Sequence, residues 1–135
     1  HKLVKMNNIC YHASMEELNF EFYTRPNGHT AFKEYLDGLT TKARAKLLAR
    51  IYMVATHGIS VGIQHDWVKQ LDSNLYEIRS RVSNNQQRGL YFHVEENHYV
   101  ITHGFTKKTQ KTPQREINHA KKLRAEYLEN RKEQL

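Results

Sequence analysis

The side chains in this chain that could do chemistry are cations placed at alternating positions. Arg79 and Arg81 lie two residues apart, with Tyr76, Ile78 and Val82 alternating against them. A β-strand over Leu75–Val82 therefore turns both arginines to the face opposite the apolar residues. Arg88 opens a second alternating run, in which Leu90, Phe92 and Val94 alternate with Tyr91, His93 and Glu95. A hairpin through the polar residues 83–87 brings it near the same end of the sheet. Lys107, Lys108 and Lys111 emerge where a third run, Tyr99–Phe105, gives out. Guanidinium and ammonium groups gathered in this way can hold a phosphodiester and offset charge developing on its oxygens without a metal. Parity sets one condition. Arg88 is in phase with Leu90, Phe92 and Val94, so a bulge or its place at the strand end must turn it outward to join the cluster. A solvated basic face is the alternative account of the same residues.

Nine histidines raise the question of a metal. His57 and His65 are eight apart, and His98 and His103 are five apart. None lies in a His-Glu-x-x-His or Cys-x-x-Cys arrangement, and Cys10 is the only cysteine. No metal and no cofactor are expected. A Gly-rich phosphate loop, a G-x-S-x-G elbow and a plausible cysteine nucleophile are all absent from the sequence.

The elements that must position the cations follow from periodicity. Phe20, Phe22 and Tyr23 form a first short strand, and Arg25-Pro26-Asn27-Gly28 is turn chemistry. Thr30 can cap a short helix carrying Phe32, Leu36 and Leu39. Thr40 or Thr41 opens a longer one with Leu47, Leu48, Ile51, Val54 and Ala55 inward and Lys42, Arg44, Lys46 and Arg50 outward. Gly58 ends it. The short connection makes the two helices an antiparallel hairpin. Three strands between Leu75 and Phe105 form a meander. Thr112-Pro113 then starts a last helix with Ile117, Ala120, Leu123 and Tyr127 inward. The expected fold is α+β, a single domain with the helical hairpin and the C-terminal helix packed on a small antiparallel sheet.

At 135 residues there is room for one core. The net charge of +7 is uneven: residues 1–72 carry nine Lys/Arg against seven Asp/Glu, and residues 73–135 carry twelve against seven. A basic second half suits RNA, DNA or an acidic protein. Residues 1–5 read as a tag or vector remnant, with Met6 as native start. Residues 1–18 together read as remnant and lead-in, and 19–135 as the domain. A lone cysteine and the lack of any long apolar run point to a cytoplasmic protein that does not enter a membrane.

Leu75-Tyr76-Glu77-Ile78-Arg79, Arg88-Gly89-Leu90-Tyr91-Phe92 and His103-Gly104-Phe105-Thr106-Lys107-Lys108-Thr109-Gln110-Lys111-Thr112-Pro113, followed by Glu116 and Ala120, resemble the RelE/HigB toxin superfamily, most closely its phage-derived Gp49-like branch. The resemblance covers roughly residues 19–128. It implies a RelE-like fold and a metal-independent endoribonuclease that inhibits translation by cutting mRNA in the ribosomal A site. It places Arg79 and Arg88 at the phosphate, Lys107 and Lys108 as a basic pair at the end of the last strand, and Tyr91 and Phe105 where an aromatic could stack on a base. Arg81 and Lys111 extend the RNA-binding surface. The implied reaction is attack of the ribose 2′-hydroxyl on the adjacent phosphate, giving a 2′,3′-cyclic phosphate. Glu77, His93, His103 and Tyr91 remain open for proton transfer. His103 is the candidate general acid, since an ordinary imidazole titrates near neutrality.

The implied partners are a HigA-like helix-turn-helix antitoxin, mRNA on the 70S ribosome, and operator DNA reached only through the antitoxin complex. Two other readings compete. One is a ParE-like toxin that blocks DNA gyrase, for which a phosphate-cleaving constellation has no use. The other is a non-catalytic nucleic-acid-binding regulator.

Overall fold

A computed structural model describes residues 17–109 and 111–134. Among them the order is β1 (Asn19–Phe22), α1 (Ala31–Asp37), α2 (Thr41–His57), α3 (Ile59–Gln64), β2 (Val68–Asp72), β3 (Leu75–Val82), β4 (Asn85–Glu95), β5 (His98–Lys107) and α4 (Gln114–Gln134). The expected tag remnant and most of the expected lead-in lie outside the described residues.

The strands form one sheet in the order β1-β5-β4-β3-β2. The α+β expectation holds, with a correction to the sheet. β1 runs parallel to β5, pairing Phe20 with Tyr99 and Phe22 with Ile101, so the sheet is mixed. The parallel pair follows from connectivity. α1–α3 and the three strands β2–β4 lie between β1 and β5, and β2–β4 alternate in direction so that β5 comes back alongside β1 pointing the same way. β2 and α3 were absent from the expectation. β2 pairs with β3 at the sheet edge, exposing Lys69 and Gln70, and so shows too short an alternation to read. The 83–87 turn contracts to Ser83 and Asn84, because β4 begins at Asn85. Ser83 takes a left-handed φ of 56° there.

Helices cover both faces of the sheet. On one face Phe32 and Leu36 of α1 and Leu47, Ile51 and Val54 of α2 pack on Val68, Ile78, Tyr91 and Ile101. Burying each such side chain stabilises the fold by about 1.5–3 kcal/mol. On the other face Ala120 of α4 meets Leu75 and Leu90, and Leu123 meets Tyr23, Phe92 and Val100. Thr40 caps α2, its hydroxyl accepting from Ala43 N at 3.1 Å. Thr30 makes no such bond to α1. Its hydroxyl instead meets that of Thr24 at 2.6 Å, closing the loop that holds the Asn27-Gly28 turn.

A bulge in β5 decides which residues meet α4. Leu90 pairs with His103 but Tyr91 pairs with Ile101, leaving Thr102 as the extra residue. Tyr99 and Ile101 face the helical hairpin. Beyond the bulge the phase is inverted, so His103 and Phe105 turn toward α4 while Gly104 lies under Tyr35 of α1. Lys107 shares the phase of His103 and Phe105. A Cβ at Gly104 would sit 2.3 Å from Tyr35 Cδ2 and 2.9 Å from the Arg88 carbonyl oxygen. Gly104→Ala is therefore expected to destabilise the fold by about 1–3 kcal/mol. An unchanged melting temperature would contradict this packing of α1 on β5.

Candidate active site

Arg79 and Arg88 stand directly opposite one another across β3 and β4. Glu77, two residues before Arg79 and on the same face, is completely buried. Its Oε2 accepts from Arg79 Nε at 3.2 Å and from Nη1 of Arg88, and its Oε1 accepts from the Thr112 hydroxyl. Arg88 also donates to Gln86 Oε1. The Thr112 hydroxyl, just before the last helix, thus ties the start of α4 to the buried carboxylate.

Arg88 is not turned outward. It stays in phase with Leu90 and Phe92 and is 1% exposed, so no bulge acts on it. Burial pulls its guanidinium below the ordinary arginine range, and the Glu77 carboxylate opposes that pull. A buried cation needs a bonded counter-charge, and Glu77 supplies it. Arg79 remains partly open, with its side chain 18% exposed and its Nη1 3.5 Å from the exposed carboxylate of Asp66.

Lys107 completes the cluster. Its Nζ lies out of solvent with no hydrogen-bond partner among the described residues. Burial, followed by the charge of Arg88, lowers its pKa; Glu77 acts in the opposite sense, and Arg79 and Lys69 add to the lowering. Lys108 and Lys111 are exposed. Arg81 is exposed at the hairpin end, where its Nε donates to Ser83 O at 3.1 Å.

Two concavities meet at Arg79 and Asp66. One, of about 810 Å³, is lined by Lys69, Gln70 and Lys111; the other, of about 200 Å³, by Lys46, Arg50, Arg81 and Gln86, with Arg88 as floor. A concavity of about 590 Å³ on the far side, between Tyr23 and the end of α4, holds none of these residues.

Other sequence candidates fall elsewhere. Tyr91 is fully buried on the hairpin face between Phe20, Tyr76 and Tyr99, where burial raises its pKa, and it offers no ring face to a base. Phe105 faces α4, packed on the Leu75, Leu90 and Ala120 cluster beside the His103 ring. His93 lies at the opposite end of β4, its Nε2 2.7 Å from Glu96 O. Glu77 has its carboxylate oxygens engaged by three donors, so it holds the site together and is not a free base.

His103 is 6% exposed and set into the sheet below α4. Its Nε2 lies 2.9 Å from Glu116 Oε1 and its Nδ1 3.1 Å from the Thr102 hydroxyl. It is four residues from Lys107 along the strand, roughly 13 Å at the rise of extended backbone. Burial lowers its pKa, more strongly than the Glu116 hydrogen bond raises it. A lowered folded-state pKa means that the unfolded chain takes up a proton first as pH falls below about 6.5. Stability should therefore decrease below that pH until the folded-state ring also protonates. His103→Gln is expected to flatten this dependence in denaturant titrations at several pH values; equal slopes would contradict it.

Sequence reasoning did not find Thr112, Gln86, Asp66 or Lys69 as neighbours of the site. The in-phase alternation of Arg88 with Leu90 and Phe92 was the available signal, since a buried arginine requires a carboxylate and Glu77 lies on the same face. Among the described residues no group of three or more His, Cys, Asp or Glu side chains could hold a metal ion. Nor is any described helix long and apolar enough to cross a membrane.

The chain matches no curated protein. A family model described as phage-derived protein Gp49-like matches residues 34–125, which run from α1 through β5 into α4 and include every cation of the cluster. This chain belongs to the Gp49-like family of phage-derived proteins, a RelE/HigB-like toxin family of toxin–antitoxin systems.

Proposed function

We propose that this chain is the toxin of a type II pair and acts as a ribosome-dependent, metal-independent mRNA endoribonuclease in the cytoplasm. One observation carries the reading. Lys107 Nζ is withdrawn from water beside Arg88 and Arg79, with no acceptor among the described residues. An ammonium group so placed is short of an anion, and a phosphodiester supplies one.

In the reaction the ribose 2′-oxygen forms a bond to phosphorus and the bond to the 5′-oxygen breaks. The products are a 2′,3′-cyclic phosphate and a free 5′-hydroxyl. Arg79, open to both concavities, binds the non-bridging oxygens and offsets their growing charge. Lys107, as the ammonium, pairs with a non-bridging oxygen beside Arg79, and the 2′-hydroxyl proton passes to solvent. The leaving oxygen takes its proton from solvent. Arg88 is a positioning residue that acts through Glu77 on Arg79 and through its field on Lys107. Lys108 and Lys111 contact flanking phosphates.

A HigA-like helix-turn-helix antitoxin neutralises the chain, and operator DNA is reached only through that complex. Expression without the antitoxin should arrest growth and leave messages cut within translated regions. Intact message in arrested cells would overturn the reading, and DNA-damage signalling beside it would favour gyrase inhibition.

A further inference from the structure

α2 carries Lys46 and Arg50 one turn apart and contains no Asp or Glu. Each reaches down to a backbone carbonyl of β3. Lys46 Nζ donates to Arg81 O at 2.6 Å, and Arg50 Nη1 donates to Arg79 O at 2.8 Å. The Arg50 guanidinium also lies over the Trp67 ring, 5.6 Å from its centroid. The ion pairs of the described residues include neither side chain with a carboxylate. Neutral acceptors thus hold both cations in place and leave their charge uncompensated. Both line the 200 Å³ concavity whose walls also include Arg79, Arg81, Gln86 and Arg88. Its one acid, Asp66, is 89% exposed and already faces Arg79.

We propose that Lys46, Arg50 and Arg81 form a second phosphate subsite, which holds the single-stranded RNA phosphate next to the one bound at Arg79. The inference rests on the RNA-cleaving reading of the neighbouring cluster and extends it to a different element, α2. Prepositioned donors lose little side-chain freedom on binding, so the subsite contributes affinity at small ordering cost. It also gives the RNA a direction across the sheet, from the Lys69–Lys111 side over Arg79 to α2.

The probe is a 2′-O-methyl RNA tetranucleotide, which lacks the attacking hydroxyl, compared with the 2′-O-methyl dinucleotide, which carries one phosphate. Binding of each is measured at several salt concentrations. The wild-type chain should bind the tetranucleotide more tightly. In Lys46→Gln with Arg50→Gln that advantage should shrink about tenfold, and the slope of log K against log salt should fall by about 0.7, one phosphate's worth on a single strand. Lys46→Gln alone, on an exposed side chain, should weaken the tetranucleotide about threefold, which guards against a folding defect in the double variant. Lys33→Gln removes the same charge from α1, where Lys33 pairs with Asp37, and serves as control. The subsite is overturned if the α2 variants match Lys33→Gln, or if the wild-type chain binds both probes equally or not at all. Dependence on Lys46 and Arg50 with messages left intact in cells would keep the subsite and remove the nuclease. Messages cut with an unaltered salt slope would do the reverse.

Discussion

Arg79→Ala should abolish growth arrest and reduce message cleavage about 100- to 1,000-fold, the usual loss when one donor to a developing oxyanion is removed. The folded chain should tolerate the change. Arg79 is partly exposed, and its pairing with the 89% exposed Asp66 is of the surface kind that contributes about 0–1 kcal/mol. Glu77 keeps its bonds to Arg88 and Thr112 in the variant. Arg79→Lys should fall between, since it retains the charge but not the two-pronged donor set. The checks are cleavage in cells, the melting temperature and retention on immobilised antitoxin. Full toxicity of Arg79→Ala would remove it from the reacting centre.

Glu77→Ala should have the largest effect on stability. Glu77 is completely buried and is the carboxylate opposing the burial penalty on Arg88. Removing one partner from a buried pair leaves an uncompensated charge, at a cost of about 3–5 kcal/mol. For a chain of this size that corresponds to a fall in melting temperature on the order of 10 °C. The loss reaches α4 as well, through the Thr112 hydroxyl. Glu77→Gln keeps the volume but not the charge and should also be markedly destabilised. That outcome separates the two roles the sequence allowed. A general base replaced by its amide would fold normally and lose only turnover. A variant with wild-type melting and no activity would therefore restore Glu77 as the base.

Much of the scaffold was legible because period and punctuation agree. Phe32, Leu36, Leu47, Ile51 and Val54 recur at helical spacing, and Gly58 ends α2 at a φ of 96°. The meander was legible from alternation. What the alternation misplaced is informative. Taken strictly, it put Arg88 at odds with the cluster and called for an outward turn. The structure keeps Arg88 inward and brings the other members to it: Glu77 and Arg79 across the ladder, and Lys107 through the Thr102 bulge. A bulge of one residue carries no sequence signal in Ile101-Thr102-His103, yet it inverts the face of every residue after it. The family resemblance puts Tyr91 where an aromatic could stack on a base, although the same alternation puts it opposite Phe92. Its neighbours Phe20, Tyr76 and Tyr99 come from three other strands and fill the space around it. β2 escaped notice as an edge strand with little to bury. The glycines of the Arg88-Gly89 and His103-Gly104 motifs also become intelligible. They pair across β4 and β5 and leave room for Phe32 and Tyr35 of α1, and the Tyr35 hydroxyl donates to Phe105 O at 3.0 Å just before Lys107.

The most direct test of the nuclease is the chemistry of the RNA ends. Purified toxin would be added, in the presence of a chelator, to ribosomes programmed with a defined message, alongside Arg79→Ala. Cleavage in the A-site codon leaving a 2′,3′-cyclic phosphate and a 5′-hydroxyl, and absent in the variant, is the predicted result. Uncut message, cleavage that requires a divalent ion, or a 5′-phosphate end would contradict the account.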